Sequence, residues 1–308
     1  MGAISTSVTL QGPFDLPLSL DAAARFLPPR GLVPTVLKVA ARFDRRPAVF
    51  EIRQTRRSPP RIEAFSTTHL HERQLQERVR WLVSADLDLR PFYRLVAPHP
   101  IMGPVSRSLN GLKPLRPLSL FEMVVIAITE QQLSLAAAFH IRERLITRFG
   151  TPFEALWIFP APEKLAEAPI GSLMDCGLSR RKAEYVKGFA QRVAEGTFPL
   201  DALTRKSDAD ARTCLMSQRG LGAWSAQYIL VRGLGRPDCL PSFDVGLRRA
   251  VGEYFSRGRS LSPEQLERAL LPFTPFRGLA AFYLSVAARL NHVIPPGAAV
   301  SNSMMHRG

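Results

Sequence analysis

Asp244 stands directly before Val245-Gly246-Leu247-Arg248-Arg249, a run that reads as the start of a helix. An aspartate there is a natural N-cap, and the free N–H groups and dipole of a helix N-terminus favour an ionised carboxylate. A fixed negative charge of this kind can stabilise a group that turns positive during a reaction, or orient a water molecule. Upstream, Gly220-Leu221-Gly222 separates two helical stretches, with a small Ala226 in about the first turn of the second. The glycines permit a tight reversal and let a bulky anion come up to the backbone, where the N–H groups of the following helix face it. An ordinary helix–helix turn has the same composition, and Gly-x-Gly alone leaves both readings open. Trp224 and Tyr228 are four apart and share a helix face. Their rings suit a flat, cationic ligand through stacking and cation–π contacts, and they suit a helical core as well. Arg248 and Arg249, just past the aspartate, are candidates for holding phosphate.

The elements that must position these groups follow from composition and periodicity. In 308 residues, 41 Lys and Arg face 26 Asp and Glu, a net charge of +15. That balance points to a polyanionic partner, nucleic acid first and an anionic membrane second, with a generally Arg-rich proteome as the bland alternative. A hydrophobic content of 46% excludes wholesale disorder. Cys176, Cys214 and Cys239 form no CxxC, which excludes a disulfide framework and any four-cysteine metal site and points to a reducing compartment. The N-terminus has no basic region followed by an apolar core, and no apolar run is long enough to span a bilayer. Gly2 and Thr6 match a loose myristoylation pattern with no second membrane signal beside it. The expectation is a soluble, cytoplasmic protein.

Residues up to about Thr68 read as mixed α/β, with strands over 5–10, 35–43, 48–54 and 61–65 and a short helix over 21–26. From about Leu70 the pattern is helical. Helices are predicted over 74–83, from a Ser119 cap onward, over 134–149, 162–168, 179–195, 207–217, 223–232 and 244–255, from a Ser262-Pro263-Glu264-Gln265 start, and over 277–290. Pro98 to Pro117 reads as a connector over the surface. The predicted fold is mostly α: an N-terminal α+β domain with its linker over 1–115, a helical domain over 116–295, and a disordered tail over 296–308.

The run Leu221-Gly222-Ala223-Trp224-Ser225-Ala226-Gln227-Tyr228, followed by Arg236-Pro237-Asp238-Cys239-Leu240-Pro241-Ser242-Phe243-Asp244, resembles the helix–hairpin–helix base-excision DNA glycosylases. Within that superfamily it is most similar to the bacterial 3-methyladenine DNA glycosylase II type. Ile128-Thr129-Glu130-Gln131-Gln132-Leu133-Ser134 resembles the family's paired-glutamine stretch, so the likeness extends from about Leu70 to Leu290. The strand-rich N-terminal part is similar in type to the family's accessory domain.

The resemblance implies a glycosylase that flips an alkylated purine out of double-stranded damaged DNA and hydrolyses its N-glycosidic bond in base excision repair. Asp244 matches the catalytic aspartate, which would face an oxocarbenium-like sugar. Trp224, Tyr228 and Phe276, with Tyr283 as a further member, are the implied base pocket, Phe276 standing where the family usually has Trp. Gly220, Leu221, Gly222, Ser225, Arg248, Arg249, Gln131 and Gln132 are the implied DNA contacts. Gln132 matches the residue that fills the vacated space, although it is polar, and both glutamines read equally well as bonding backbone between two helices.

Bifunctional relatives carry a nucleophilic Lys where this chain has Trp224, which implies no Schiff base and no lyase step. Lys182 and Lys187 then read as phosphate contacts or surface charge. Asp175-Cys176-Gly177-Leu178-Ser179-Arg180-Arg181-Lys182-Ala183 faintly echoes the main hairpin. The backbone carbonyls of Met216, Gln218 and Leu221 are implied ligands of a structural Na⁺ or K⁺ ion, with no cofactor for the chemistry. A monomer associated with the nucleoid is expected. Two rivals stand beside this reading: a non-catalytic helix–hairpin–helix DNA-binding protein, and a glycosylase for oxidised or mispaired bases.

Overall fold

The structure, a computed structural model, describes residues 4–24, 32–33, 35–44, 46–68 and 70–290. The expected tail over 296–308 lies outside the described residues, as does Gly2. An antiparallel sheet of β1 (Ile4–Thr9), β2 (Leu32–Val33), β3 (Val36–Phe43), β4 (Arg46–Arg57) and β5 (Pro60–Ser66) has the order β1-β5-β4-β3-β2. Period-two alternation turns Pro60, Ile62, Ala64 and Ser66 inward along β5. Against this face pack α1 (Leu16–Ala24) and α2 (Glu72–Leu82), the latter through Leu75, Val79 and Leu82 at helical spacing.

The chain continues through α3 (Leu89–Val96), α4 (Met102–Ser108), α5 (Leu120–Glu130), α6 (Leu135–Phe149), a small hairpin of β6 (Thr151–Phe153) and β7 (Leu156–Ile158), α7 (Pro162–Glu167), α8 (Ile170–Asp175), α9 (Arg180–Ala194), α10 (Asp208–Met216), α11 (Ala223–Arg232), α12 (Val245–Phe255), α13 (Pro263–Leu270) and α14 (Arg277–Arg289). Helix α5 is the hub, with every residue but Glu122 buried. Around it α6, α9 and α11 close a core that includes Phe121, Val124, Ile128, Leu145, Phe189 and Ile229. A helix apolar all round needs such complete surroundings.

Most predicted helices form with their expected caps. Ser134, Ser179, Ser207 and Asp244 each accept a hydrogen bond from the third residue onward, and Ser262 with Gln265 makes a full capping box. At Ser119 only half of the box forms, because the Glu122 carboxylate accepts from the Leu118 N–H at 3.2 Å instead.

Two expectations are corrected. The stretch from Pro98 to Pro117 is no surface connector: it holds α4, and Ile101, Met102, Leu109, Leu112 and Lys113 are fully buried. Nor do residues 1–115 pack as one unit. Phe92, Ile101 and Met102 share a core with Tyr254, Leu266, Phe273 and Tyr283, so α3 and α4 belong with the C-terminal helices. The prolines suggest a linker, yet the apolar faces of α3 and α4 are completed by α12–α14, far away in sequence. Among the described residues no single helix is long and apolar enough to cross a membrane.

Where β3 approaches the helical core, a cavity of about 160 Å³ is lined by residues including Leu37, Ala40, Glu122, Arg142 and Trp157. Burial pushes the Glu122 carboxyl up to about 7, against the opposing pull of Arg142 and Arg78. A carboxyl raised in the folded state costs stability as pH climbs from its unfolded value through its folded one. Part of Glu122 still reaches solvent, which holds this cost to about 1–2 kcal/mol. Urea unfolding of Glu122→Gln should therefore match the parent near pH 4 and exceed its stability by about that amount at pH 8.

Candidate active site

Helix α10 ends in a turn in which the Gln218 N–H reaches the Leu215 carbonyl (3.0 Å) and the Leu221 N–H reaches that of Gln218 (3.1 Å). Gly220 has φ +93°, and a Cβ there would meet the Tyr185 ring at 2.4 Å. Backbone sign and close approach both demand glycine at this position. Gly222 is different: it is the N-cap of α11, with φ −95° and nothing within 4 Å of its Cβ position. The open space beside an exposed helix N-terminus is where an anion can sit.

The hairpin is tied to the end of α5. The Gln131 amide donates to the Gly220 carbonyl (2.8 Å) and to the Ser225 hydroxyl (2.9 Å). Ser225 is 1% exposed. The side chains of Gln131 and Ser225 are thus internal ties rather than exposed DNA contacts. Gln132 is exposed, has φ +54°, and stands in the α5–α6 turn beside Leu133, an apolar side chain 42% exposed.

The Lys182 ammonium donates to the Thr129 and Gln131 carbonyls and so satisfies the C-terminus of α5. Burial draws its pKa down. Lys187 donates to the Ala168 carbonyl at 2.8 Å. Both lysines hold helix ends together rather than facing a ligand or forming free surface charge. The fainter echo is a real helix–turn–helix: α8 and α9 are joined through Gly177 at φ +99°, with Arg180 and Arg181 exposed at the start of α9.

Asp244 caps α12, its Oδ1 accepting from the Leu247 N–H at 2.8 Å. Its Oδ2 accepts from the Trp224 indole N–H at 3.0 Å. Trp224 stacks on Tyr228 with centroids 5.2 Å apart and planes 13° from parallel. These three side chains line a cavity of about 950 Å³, closed on one side by the α5–α6 turn and on another by α14. The wall is largely apolar in residue type, including Leu133, Val231, Phe243, Val245 and Phe282, with Arg249 also in the lining.

Charge lies in the wall as well. Glu130 is buried, 3.4 Å from the Arg142 guanidinium, and the Tyr228 hydroxyl interacts with its carboxyl. Burial raises the Glu130 carboxyl above its ordinary range, opposed chiefly by Arg142. Tyr228 is raised strongly, first by burial and then by its carboxylate neighbour. Arg232 and Arg289 complete the charged part of the lining.

Three expected site residues lie elsewhere. Phe276 precedes α14 with its ring against Phe92 (5.9 Å, edge-on), and it lines a separate groove with Trp81, Arg116 and Gly235. Tyr283 is wholly buried, donating to the Leu112 carbonyl (2.7 Å) and sharing a hydrogen bond with the Tyr93 hydroxyl (2.8 Å). Arg248 reaches the Leu261 carbonyl at 3.2 Å, so it braces the loop before α13 while Arg249 stays exposed. The face of α14 turned to the cavity carries Gly278, Phe282, Ser285 and Arg289. Their spacing of four, three and four is one helical stripe, a signal that would have selected Phe282 over Tyr283. Glu130, Leu133 and Phe243 also went unassigned.

A mainly helical fold with a glycine hairpin, a capped carboxylate and an aromatic stack at one cleft has counterparts. The model of the HhH-GPD superfamily of base excision DNA repair proteins matches residues 125–275. A DNA-3-methyladenine glycosylase of Bacillus subtilis (strain 168) is 30% identical over 203 residues, covering 65% of this chain and 67% of the relative. DNA-3-methyladenine glycosylase 2 of Escherichia coli (strain K12) is 27% identical over 187 residues, covering 59% of this chain and 63% of the relative. A second Bacillus subtilis relative, YfjP, is matched over 58% of its length at 33% identity. A solved 3-methyladenine DNA-glycosylase from Archaeoglobus fulgidus shares the fold at TM-score 0.81 and 24% identity, over 94% of this chain and all of that one. The chain belongs to the HhH-GPD superfamily of base excision DNA repair proteins.

Gly220→Ala should destabilise the fold by about 1–3 kcal/mol, from the positive φ and the Tyr185 clash together. Urea denaturation checks this, with Gly222→Ala, where the Cβ meets open space, as the milder comparison.

Proposed function

We propose that this chain is a monofunctional DNA glycosylase that releases alkylated purines of the 3-methyladenine type. The observation that carries the reading is the Asp244 carboxylate, held on two sides at the edge of a cavity large enough for a purine, beside the stacked Trp224 and Tyr228. The names of the relatives support the lesion class.

In this reading the Gly220-Leu221-Gly222 turn and the N–H groups opening α11 take a backbone phosphate without reading sequence, and Arg249 adds a second contact. The damaged nucleotide is flipped into the cavity. Gln132, or the apolar Leu133 beside it, fills the vacated space. An N-alkylated purine is cationic and stacks on the electron-rich indole of Trp224, backed by Tyr228. As the glycosidic bond lengthens, the purine leaves with the bonding electrons, positive charge grows on the sugar where Asp244 stabilises it electrostatically, and water adds to the anomeric carbon with loss of a proton. An indole has no nucleophilic amine, so with Trp224 at the lyase position the product is an abasic site. The neutral carbonyls of Met216, Gln218 and Leu221 suit an alkali cation better than a transition metal. Gln218 spends one lone pair on the Leu221 N–H and keeps another. Such an ion would hold the turn and screen the incoming phosphate. The remaining proposals are action as a monomer on double-stranded DNA at the nucleoid.

Duplexes carrying one lesion each, scored for free base, test the assignment. Release of 3-methyladenine or 7-methylguanine is expected, while 8-oxoguanine release without alkylpurine release would overturn the lesion class. Asp244→Asn should slow base release by about 10²–10³-fold while DNA affinity stays within roughly twofold. A parent protein that binds the duplexes and releases nothing would be a binding module instead. DNA affinity should fall steeply with salt through counterion release, as a titration from low to physiological ionic strength would read.

A further inference from the structure

The cavity has a second carboxylate, which the proposed chemistry does not use. Glu130, the last residue of α5, is buried in the wall and interacts with the hydroxyl of Tyr228, the ring that stacks on Trp224. The charged and titratable groups that act on it are Arg142 from α6, Tyr228 and Arg232 from α11 and Asp244 from the start of α12, while Arg249 from α12 and Arg289 from α14 line the same cavity. Arg142 stands behind the wall, and no group of its guanidinium makes a hydrogen bond among the described residues. Among the residues that line the cavity, Glu130 and Asp244 stand against Arg232, Arg249 and Arg289. With both carboxylates ionised the lining carries one net positive charge. Without Glu130 it carries two, which repel a cationic guest more strongly in a weakly screened site.

We propose that Glu130 is a specificity-determining residue whose carboxylate offsets part of the positive charge of the wall arginines, so that the cavity favours a positively charged purine over a neutral one of similar size. The inference rests on the base release proposed above. It asks the carboxylate to act through space on the guest, with Asp244 still acting on the sugar. Gln at position 130 keeps a side-chain oxygen that can accept from the Tyr228 hydroxyl. Glu130→Gln thus removes the charge while keeping the shape of the wall.

The test compares release of cationic 3-methyladenine and 7-methylguanine with release of neutral hypoxanthine, under single-turnover conditions at pH 7. Glu130→Gln should lower the cationic-to-neutral ratio about tenfold, a change of about 1.4 kcal/mol. Arg289→Gln should move the ratio the other way, and it carries the test if the first variant fails to fold. A uniform loss on all substrates would mark Glu130 as structural only and overturn the proposal, as would an unchanged ratio.

Binding of the 1-methyladenosine cation against neutral inosine, followed by tryptophan fluorescence, reads the same balance without catalysis. Cation binding weakened selectively by Glu130→Gln, in a protein that releases no base, would sink the glycosylase reading and leave the role of Glu130 standing. Base release with an unmoved ratio would do the reverse.

Discussion

The arrangement depends on holding one carboxylate still. Asp244 uses one oxygen to cap α12 and the other to accept from the Trp224 indole, so neither rotation of the side chain nor retreat of the helix is free. Each bond comes from a different part of the fold. The cap is local, set by an aspartate at the start of a helix, whereas the indole arrives from α11, directly after the glycine hairpin. A preorganised charge costs little reorganisation when positive charge develops nearby. The same indole is one face of the aromatic stack, so the group that orients the carboxylate also lines the space where a base would rest.

The hairpin and the cavity are held in register by the C-terminus of α5. That end leaves carbonyls without helical partners, and they are met by the Lys182 ammonium from α9. Gln131 then carries the connection across to Gly220 and Ser225. An anion bound at the hairpin and a ring seated on Trp224 would therefore stand in a fixed relation. The demand on Gly220 belongs to this lock, because Tyr185 of α9 occupies the space a Cβ would need.

Charge is unusually deep in the helical core. Glu122 and Glu130 lie at opposite ends of α5, and both feel Arg142. Burying carboxylates and a guanidinium without full hydrogen bonding is costly. Glu122 meets the cost by a raised pKa beside the sheet, whereas Glu130 is engaged by Tyr228 and Arg142 next to the cavity. The two carboxylates share a helix and a cationic neighbour yet face different surroundings.

Much of this was legible locally. Caps at Ser134, Ser179, Ser207, Asp244 and Ser262, the hairpin glycines, and the Trp224–Tyr228 face follow from nearest-neighbour chemistry, and there sequence and structure agree. What the sequence could not decide is which of several similar residues meets which surface. Phe276 and Tyr283 are aromatic and correctly spaced, yet α14 turns them toward Phe92 and Tyr93, and Phe282 faces the cavity. Gln131, Lys182 and Arg248 are as polar as any ligand-binding residue, and only tertiary packing shows each spent on an internal carbonyl. The proline-rich stretch from 98 to 117 has a linker's composition and lies in a core because α12–α14 return to cover it. Propensity and capping act over a few residues, while burial is decided by chain segments that are close only after folding.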